Sequence, residues 1–220
     1  GWLGVVLVAG NTANACVPKS LLNTTIAAKK PGAAHDPYLR VRFVLDAGSE
    51  CLAFRDIRTF GRVWCGATGD LESLKALTKL GPEPLEISAA EFSERLRSRR
   101  GRLKALLLNQ EFLAGVGNIY ADESLHLAAL HPLALARNVR AQSAKRLHAA
   151  IQNILLKSIE AGGSSIDDFL NPDGDPGWFQ RELLAYGREG EKCARCEGII
   201  KRIVMGQRGT WFCPKCQKRR

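Results

Sequence analysis

Four cysteines near the end of the chain stand as two pairs, Cys193-Ala-Arg-Cys196 and Cys213-Pro-Lys-Cys216. Each Cys-x-x-Cys can put two thiolates on one tight turn, and two such turns supply the four soft ligands of a closed tetrahedral zinc site. One structural zinc ion is therefore expected on Cys193, Cys196, Cys213 and Cys216. Between the pairs, Ile199-Ile200-Lys201-Arg202-Ile203-Val204 and Thr210-Trp211-Phe212 read as two strands around Met205-Gly206-Gln207-Arg208-Gly209. The metal would then pin a β-hairpin with Arg208 at its tip. Two disulfides are the rival pairing; the odd remainder, Cys16, Cys51 and Cys65, suits a reducing compartment and disfavours them. The plainer alternative is a ribbon that only staples a small carboxyl-terminal subdomain.

A second constellation is Ala114-Gly115-Val116-Gly117-Asn118-Ile119-Tyr120-Ala121-Asp122-Glu123. Gly115 and Gly117, placed just before a predicted helix, would let backbone N–H groups approach a phosphate where the helix dipole favours an anion. A Gly-x-Gly has little specificity by itself. Asp56 to Arg62 reads as a loop in which Arg58 and Phe60 could wedge into a base stack, against the plain alternative of an aromatic packed on its own sheet. His126, His131 and His148 lack partners at ligand spacing and read as surface or helix-end residues. Ser164 to Phe179 is a loop of Ser, Asp, Gly and Pro, a length that compact domains usually reserve for function or motion, with Trp178 and Phe179 anchoring its far end.

The elements that must position these residues follow from periodicity. Leu39, Val41, Phe43 and Leu45 alternate with Arg40, Arg42, Val44 and Asp46; after Ala47-Gly48, Cys51 to Phe54 completes a β-hairpin, and Val63-Trp64 resumes extended chain. Gly66 to Pro84 is a connector. Ser88-Ala89-Ala90-Glu91 is a capping box opening a helix with Phe92 and Leu96 on one face. Leu103, Leu106 and Leu107 mark a second helix with Lys104 on its other side. The helix of the glycine motif should stop at His131-Pro132, and a last one, with Ala144, Leu147, Ile151, Ile154 and Leu155 on one face, should stop at Gly162-Gly163. The 220 residues are 45% hydrophobic with a net charge of +10, enough for real cores and for a polyanionic partner. Leu3 to Ala9 is too short for a membrane span and lacks a basic flank, so no membrane association is expected.

Several of these motifs in one order resemble the bacterial formamidopyrimidine-DNA glycosylases: Leu106-Leu107-Leu108-Asn109-Gln110, Gly115 to Glu123, Ala161-Gly162-Gly163-Ser164, Tyr186-Gly187-Arg188, and Gln207-Arg208 to Cys216-Gln217. The resemblance covers about Tyr38 to Gln217. It implies an α+β fold: a partial β-sandwich over 1–66, a helix-two-turns-helix domain with a lesion-recognition loop over 67–178, and a zinc-finger hairpin over 179–220. It implies base-excision repair of oxidised purines by glycosylase and AP lyase activity, with double-stranded DNA containing an oxidised purine or an abasic site as the partner. A monomer in the bacterial cytoplasm, associated with the nucleoid, goes with this. By the same analogy Asn118 and Arg208 grip phosphates beside the damaged nucleotide, Lys104 is a further candidate, and Arg58 and Phe60 fill the void left by a flipped base. Thr59 stands where many relatives carry arginine. The family's amino-terminal proline nucleophile and its neighbouring glutamate have no counterpart at Gly1, so the expectation is a shortened family member. Lys19, Lys29 and Lys30 are its spare amines. A module that binds damaged or bent DNA without cutting it is the alternative, and a zinc-ribbon protein adaptor ranks behind both.

Overall fold

The computed structural model describes residues 4–9, 37–45, 50–56, 59, 61–67, 78–165 and 176–219. The chain divides into two compact units, Gly1–Thr78 with Gly162–Gly177, and Lys79–Ala161 with Trp178–Arg220.

In the first unit, β2 (Leu39–Leu45) pairs antiparallel with β3 (Glu50–Arg55), as the alternation predicts, with an irregularity between Leu39 and Val41. β1 (Gly4–Ala9) runs parallel to β4 (Arg62–Ala67). The Asp56 carboxylate gathers the chain between β3 and β4: it accepts from the Thr59 N–H at 3.0 Å and the Gly61 N–H at 2.6 Å, and Thr59 takes a φ of 58°. Gly61 is required here, because a Cβ would collide with the Phe54 ring. Arg58 and Phe60 lie outside the described residues, as do Lys19, Lys29, Lys30, the Ala47-Gly48 turn and the middle of the 164–179 loop. The neck of that loop is closed within this unit: the Gly177 N–H donates to Ser165 Oγ at 2.8 Å, and a Cβ on Gly177 would overlap the Gly163 carbonyl oxygen.

The second unit is built on four helices, α1 (Ala89–Arg97), α2 (Leu103–Leu107), α3 (Asn118–Leu127) and α4 (Ala141–Glu160). Ser88 caps α1, accepting from the Glu91 N–H at 3.2 Å, which satisfies a donor that has no partner within the first turn. Phe92 and Leu96 then enter a core shared with Leu103, Leu107, Phe112, Leu125, Leu147 and Ile151. Gly162, at φ 69°, follows the end of α4 as predicted. The end of α3 differs from prediction. It stops at Leu127, four residues before His131-Pro132, because Ala129 adopts a left-handed φ of 54°. The Ala129 and Leu130 N–H groups donate to His126 and Leu125 carbonyls at 3.1 and 2.9 Å, a Schellman closure made without glycine. β5 (Lys201–Met205) and β6 (Arg208–Phe212) form the carboxyl-terminal hairpin, closed by the two-residue turn Gly206-Gln207 with φ 55° and 61°. Arg208 is thus the first residue of β6, opposite Met205, and not a member of the turn. No helix among the described residues is long and apolar enough to cross a membrane.

Candidate nucleic-acid interface and metal centre

The four predicted cysteines converge. Their sulfur atoms all lie within 4.8 Å of one another, with Cys193 to Cys216 at 3.8 Å and Cys196 to Cys213 at 3.5 Å. Four thiolates on zinc at about 2.3 Å would stand about 3.8 Å apart, so shifts of no more than about 1 Å bring the set onto the ion. The first knuckle is set by backbone: the Cys193 N–H donates to Gly198 O at 2.6 Å, and Glu197, at φ 56°, donates to Cys193 O at 2.9 Å. Gly198 cannot carry a side chain, since a Cβ would stand 2.9 Å from Lys215 Cβ and 3.2 Å from Cys213 Sγ. In the second knuckle, Gln217 accepts from the Cys213 N–H at 2.8 Å and donates to Leu130 O at 2.8 Å, fastening the metal turn to the loop after α3.

The glycine motif turns the chain into α3. Gly115 has a φ of 74°, Gly117 is the N-cap in extended conformation, and neither has any atom within 4 Å of where a Cβ would be. The start of α3 is therefore open to close approach, with no acidic residue in its first turn to satisfy the helix dipole. One expectation changes. The Gly115 N–H is already engaged, donating to Gln110 Oε1 at 2.8 Å, and Gln110 Nε2 returns to Val116 O at 3.2 Å. Gly115 thus shapes the turn and its amide is not available to an anion. Asn118, half-buried, donates through Nδ2 to Gly209 O at 3.2 Å, so the first residue of α3 touches the hairpin tip. Arg208, the neighbour of Gly209, is exposed and has no ion-pair partner among the described residues.

Lys104 is the clearest correction. Its side chain is 0% exposed, and its ammonium spends all three protons inside: on Asp122 Oδ2 at 2.9 Å, Gly209 O at 2.8 Å and Thr210 Oγ1 at 2.9 Å. It cannot meet a phosphate from there. The five-residue helix buries Leu103, Lys104 and Leu107 and leaves Ala105 to solvent, so Lys104 lies on a covered side that the leucine spacing alone does not reveal. Asp122, also 0% exposed, takes the Trp211 backbone N–H at 3.0 Å as well, so one buried ion pair ties α2, α3 and β6. Burial pushes the Asp122 carboxyl up to about 6 against the pull of Lys104, and burial lowers the Lys104 ammonium.

The rest of α3 continues this role. Glu123 accepts three successive backbone N–H groups, Leu184 at 2.9 Å, Ala185 at 2.8 Å and Tyr186 at 2.7 Å, and so holds the segment leading to the ribbon. His126 is fully buried with Nε2 3.3 Å from Cys193 Sγ; burial, with the Arg195 and Arg188 charges, lowers it to about 4. His131 and His148 are interior too, on the Leu133 N–H at 3.1 Å and Ile87 O at 2.8 Å. All three histidines are therefore buried rather than on the surface, although His126 does sit in the last turn of α3, as the helix-end alternative has it. The missed signal was the run Asp122, Glu123, Ser124 and His126 inside one helix of a basic chain, where buried polar groups require partners. At the far end of the loop, Phe179 is buried, whereas Trp178 stays exposed under the Arg181 guanidinium at 4.3 Å, so Phe179 alone anchors by burial.

Family models match two parts of the chain: the formamidopyrimidine-DNA glycosylase H2TH domain over residues 80–169, and the zinc finger found in FPG and IleRS over 190–219. A formamidopyrimidine-DNA glycosylase of Solibacter usitatus is 46% identical over 168 residues, 76% of this chain and 62% of that protein's length. The crystal structure of the MutM (Fpg) protein from Thermus thermophilus superposes with a TM-score of 0.78 at 40% identity, covering 91% of this chain and 75% of that one. The Lactococcus lactis Fpg, solved in complex with DNA containing an abasic site, gives 0.79 at 35% identity over 89% and 72%. The zinc hairpin clamped to α3, the open glycine turn before it and these likenesses all point the same way, and the chain belongs to the formamidopyrimidine-DNA glycosylase family.

Proposed function

We propose that the protein acts in base-excision repair as a formamidopyrimidine-DNA glycosylase and AP lyase, gripping duplex DNA that carries an oxidised purine or an abasic site. The observation that carries this reading is the contact between Asn118 and Gly209, which sets the open start of α3 beside the exposed Arg208. A helix N-terminus with spare donors next to a guanidinium is suited to two adjacent phosphates, whose charge needs no base-specific chemistry. The relative solved with abasic-site DNA supports the choice of ligand. Within the same proposal, Arg58 and Phe60 fill the gap left by an extruded nucleotide, the described grip lies in the region matched by the family models, and the chain works as a cytoplasmic monomer. The three-part division at residues 66 and 178 is proposed with it.

The grip residues all belong to the second compact unit, which favours one further reading, a module that binds damaged DNA without excision. Borohydride trapping on an abasic duplex separates the two. A covalent adduct with strand cleavage supports the lyase; tight, salt-sensitive binding without adduct supports the module; absence of any duplex binding overturns both.

A further inference from the structure

His126 has no place in the phosphate grip, yet its ring is 0% exposed and its Nε2 lies 3.3 Å from Cys193 Sγ, itself 1% exposed. With zinc bound, that sulfur is a thiolate with no proton to give, so the bond has one polarity: the imidazole Nε2–H donates and sulfur accepts. We propose that His126 is a positioning residue of the zinc site, whose N–H···S bond to Cys193 slows metal loss and fastens the first knuckle to α3.

The surroundings are built for this bond. His126 Nδ1 is buried with no hydrogen-bond partner among the described residues, so the contact with Cys193 is the described hydrogen bond of the ring. From inside the same knuckle, Arg195 donates to the carbonyls of His126, and of Leu127 at 2.9 Å, holding the end of α3 in register with the cysteine turn. Four thiolates around a dication leave a net charge of about −2 on largely buried sulfur, and a donor aimed at one of them offsets part of it. Outer hydrogen-bond partners of metal ligands typically change metal affinity about 10- to 100-fold. Asn118 and His126 are eight residues apart on α3, about 12 Å along the axis, so the metal knuckle and the hairpin tip are referenced to one rigid helix. The inference rests on the zinc assignment and is independent of the DNA reading.

The test compares the 220-residue protein with His126→Phe, which keeps ring volume without a donor, His126→Asn, whose amide falls short of the sulfur, and His126→Gln, whose amide nitrogen reaches the place of Nε2. Two readouts are used: the rate of zinc transfer to a chromophoric chelator, and the sulfur-to-cobalt charge-transfer band of the cobalt-substituted protein. The Phe and Asn variants are expected to release zinc roughly 10-fold faster or more, with the band shifted to lower energy, while Gln keeps the parent rate and band. Equal rates and bands in all four proteins overturn the inference. So does a Gln variant that behaves like Asn, which would reduce His126 to packing. If the Phe variant does not fold, the contrast between Asn and Gln decides alone. A parent protein without stoichiometric zinc defeats the metal assignment itself.

Discussion

The start of α3 and its later turns put polar groups to opposite purposes. At its start, Gly115, Gly117 and Asn118 leave open space around the first turn, with Arg208 exposed nearby. Over the following turns, Asp122, Glu123 and His126 are almost wholly enclosed, each committed to a group from another part of the unit: Lys104 and β6, the 184–186 segment, and Cys193. The open end can trade solvent for a ligand at small cost to the fold. The closed end cannot, because a buried polar group without its partner forfeits its hydration and gains nothing in return. Function at the tip thus depends on polar chemistry that never reaches the surface.

The strongest way to break this contrast is to remove the metal. Chelation, or Cys213→Ser, is expected to unfold the hairpin and carry duplex binding away with it, since ligand binding and folding are coupled at such sites. Circular dichroism and a binding titration on the same sample check this, and full DNA affinity in metal-free protein would refute it. Next in size is Asp122→Ala, which strands Lys104 inside and should cost about 3–5 kcal/mol of unfolding free energy. Denaturant titration gives the number, and a loss under about 1 kcal/mol would mean that Lys104 escapes to solvent. Glu123→Gln removes one charged acceptor from three N–H donors and should cost about 1–3 kcal/mol. Its amides at Leu184, Ala185 and Tyr186 should then exchange hydrogen faster than those of the α4 core. The smallest structural effect belongs to Arg208→Ala: stability should hold within about 0.5 kcal/mol, while affinity for every duplex falls together and the log-log salt slope drops by roughly one. Selective loss for one lesion at unchanged slope would make Arg208 a reader of bases.

Local rules were enough wherever neighbours in sequence decide the outcome. The alternation over Leu39–Leu45, the Ser88 cap, the Gly162 stop and the two Cys-x-x-Cys turns were legible because each depends on a few adjacent residues and their backbone preferences. The stop of α3 failed the same rules, since Ala129 adopts a conformation usually left to glycine and the following proline misled the reading.

The sequence by itself determined the metal ligands, the order of elements and the family, for these are written in residue type and spacing. Only the tertiary structure decided which cations and imidazoles face a ligand and which face each other. Lys104 and Arg208 are both basic residues near the same glycine, Gly209. Lys104 meets its carbonyl from within, and Arg208 stands beside it in solvent. That division rests on Asp122, eighteen residues from Lys104, and on Thr210, one hundred and six away. A charge is buried or exposed according to partners that the chain brings together only on folding, and no local pattern around the charge can specify them.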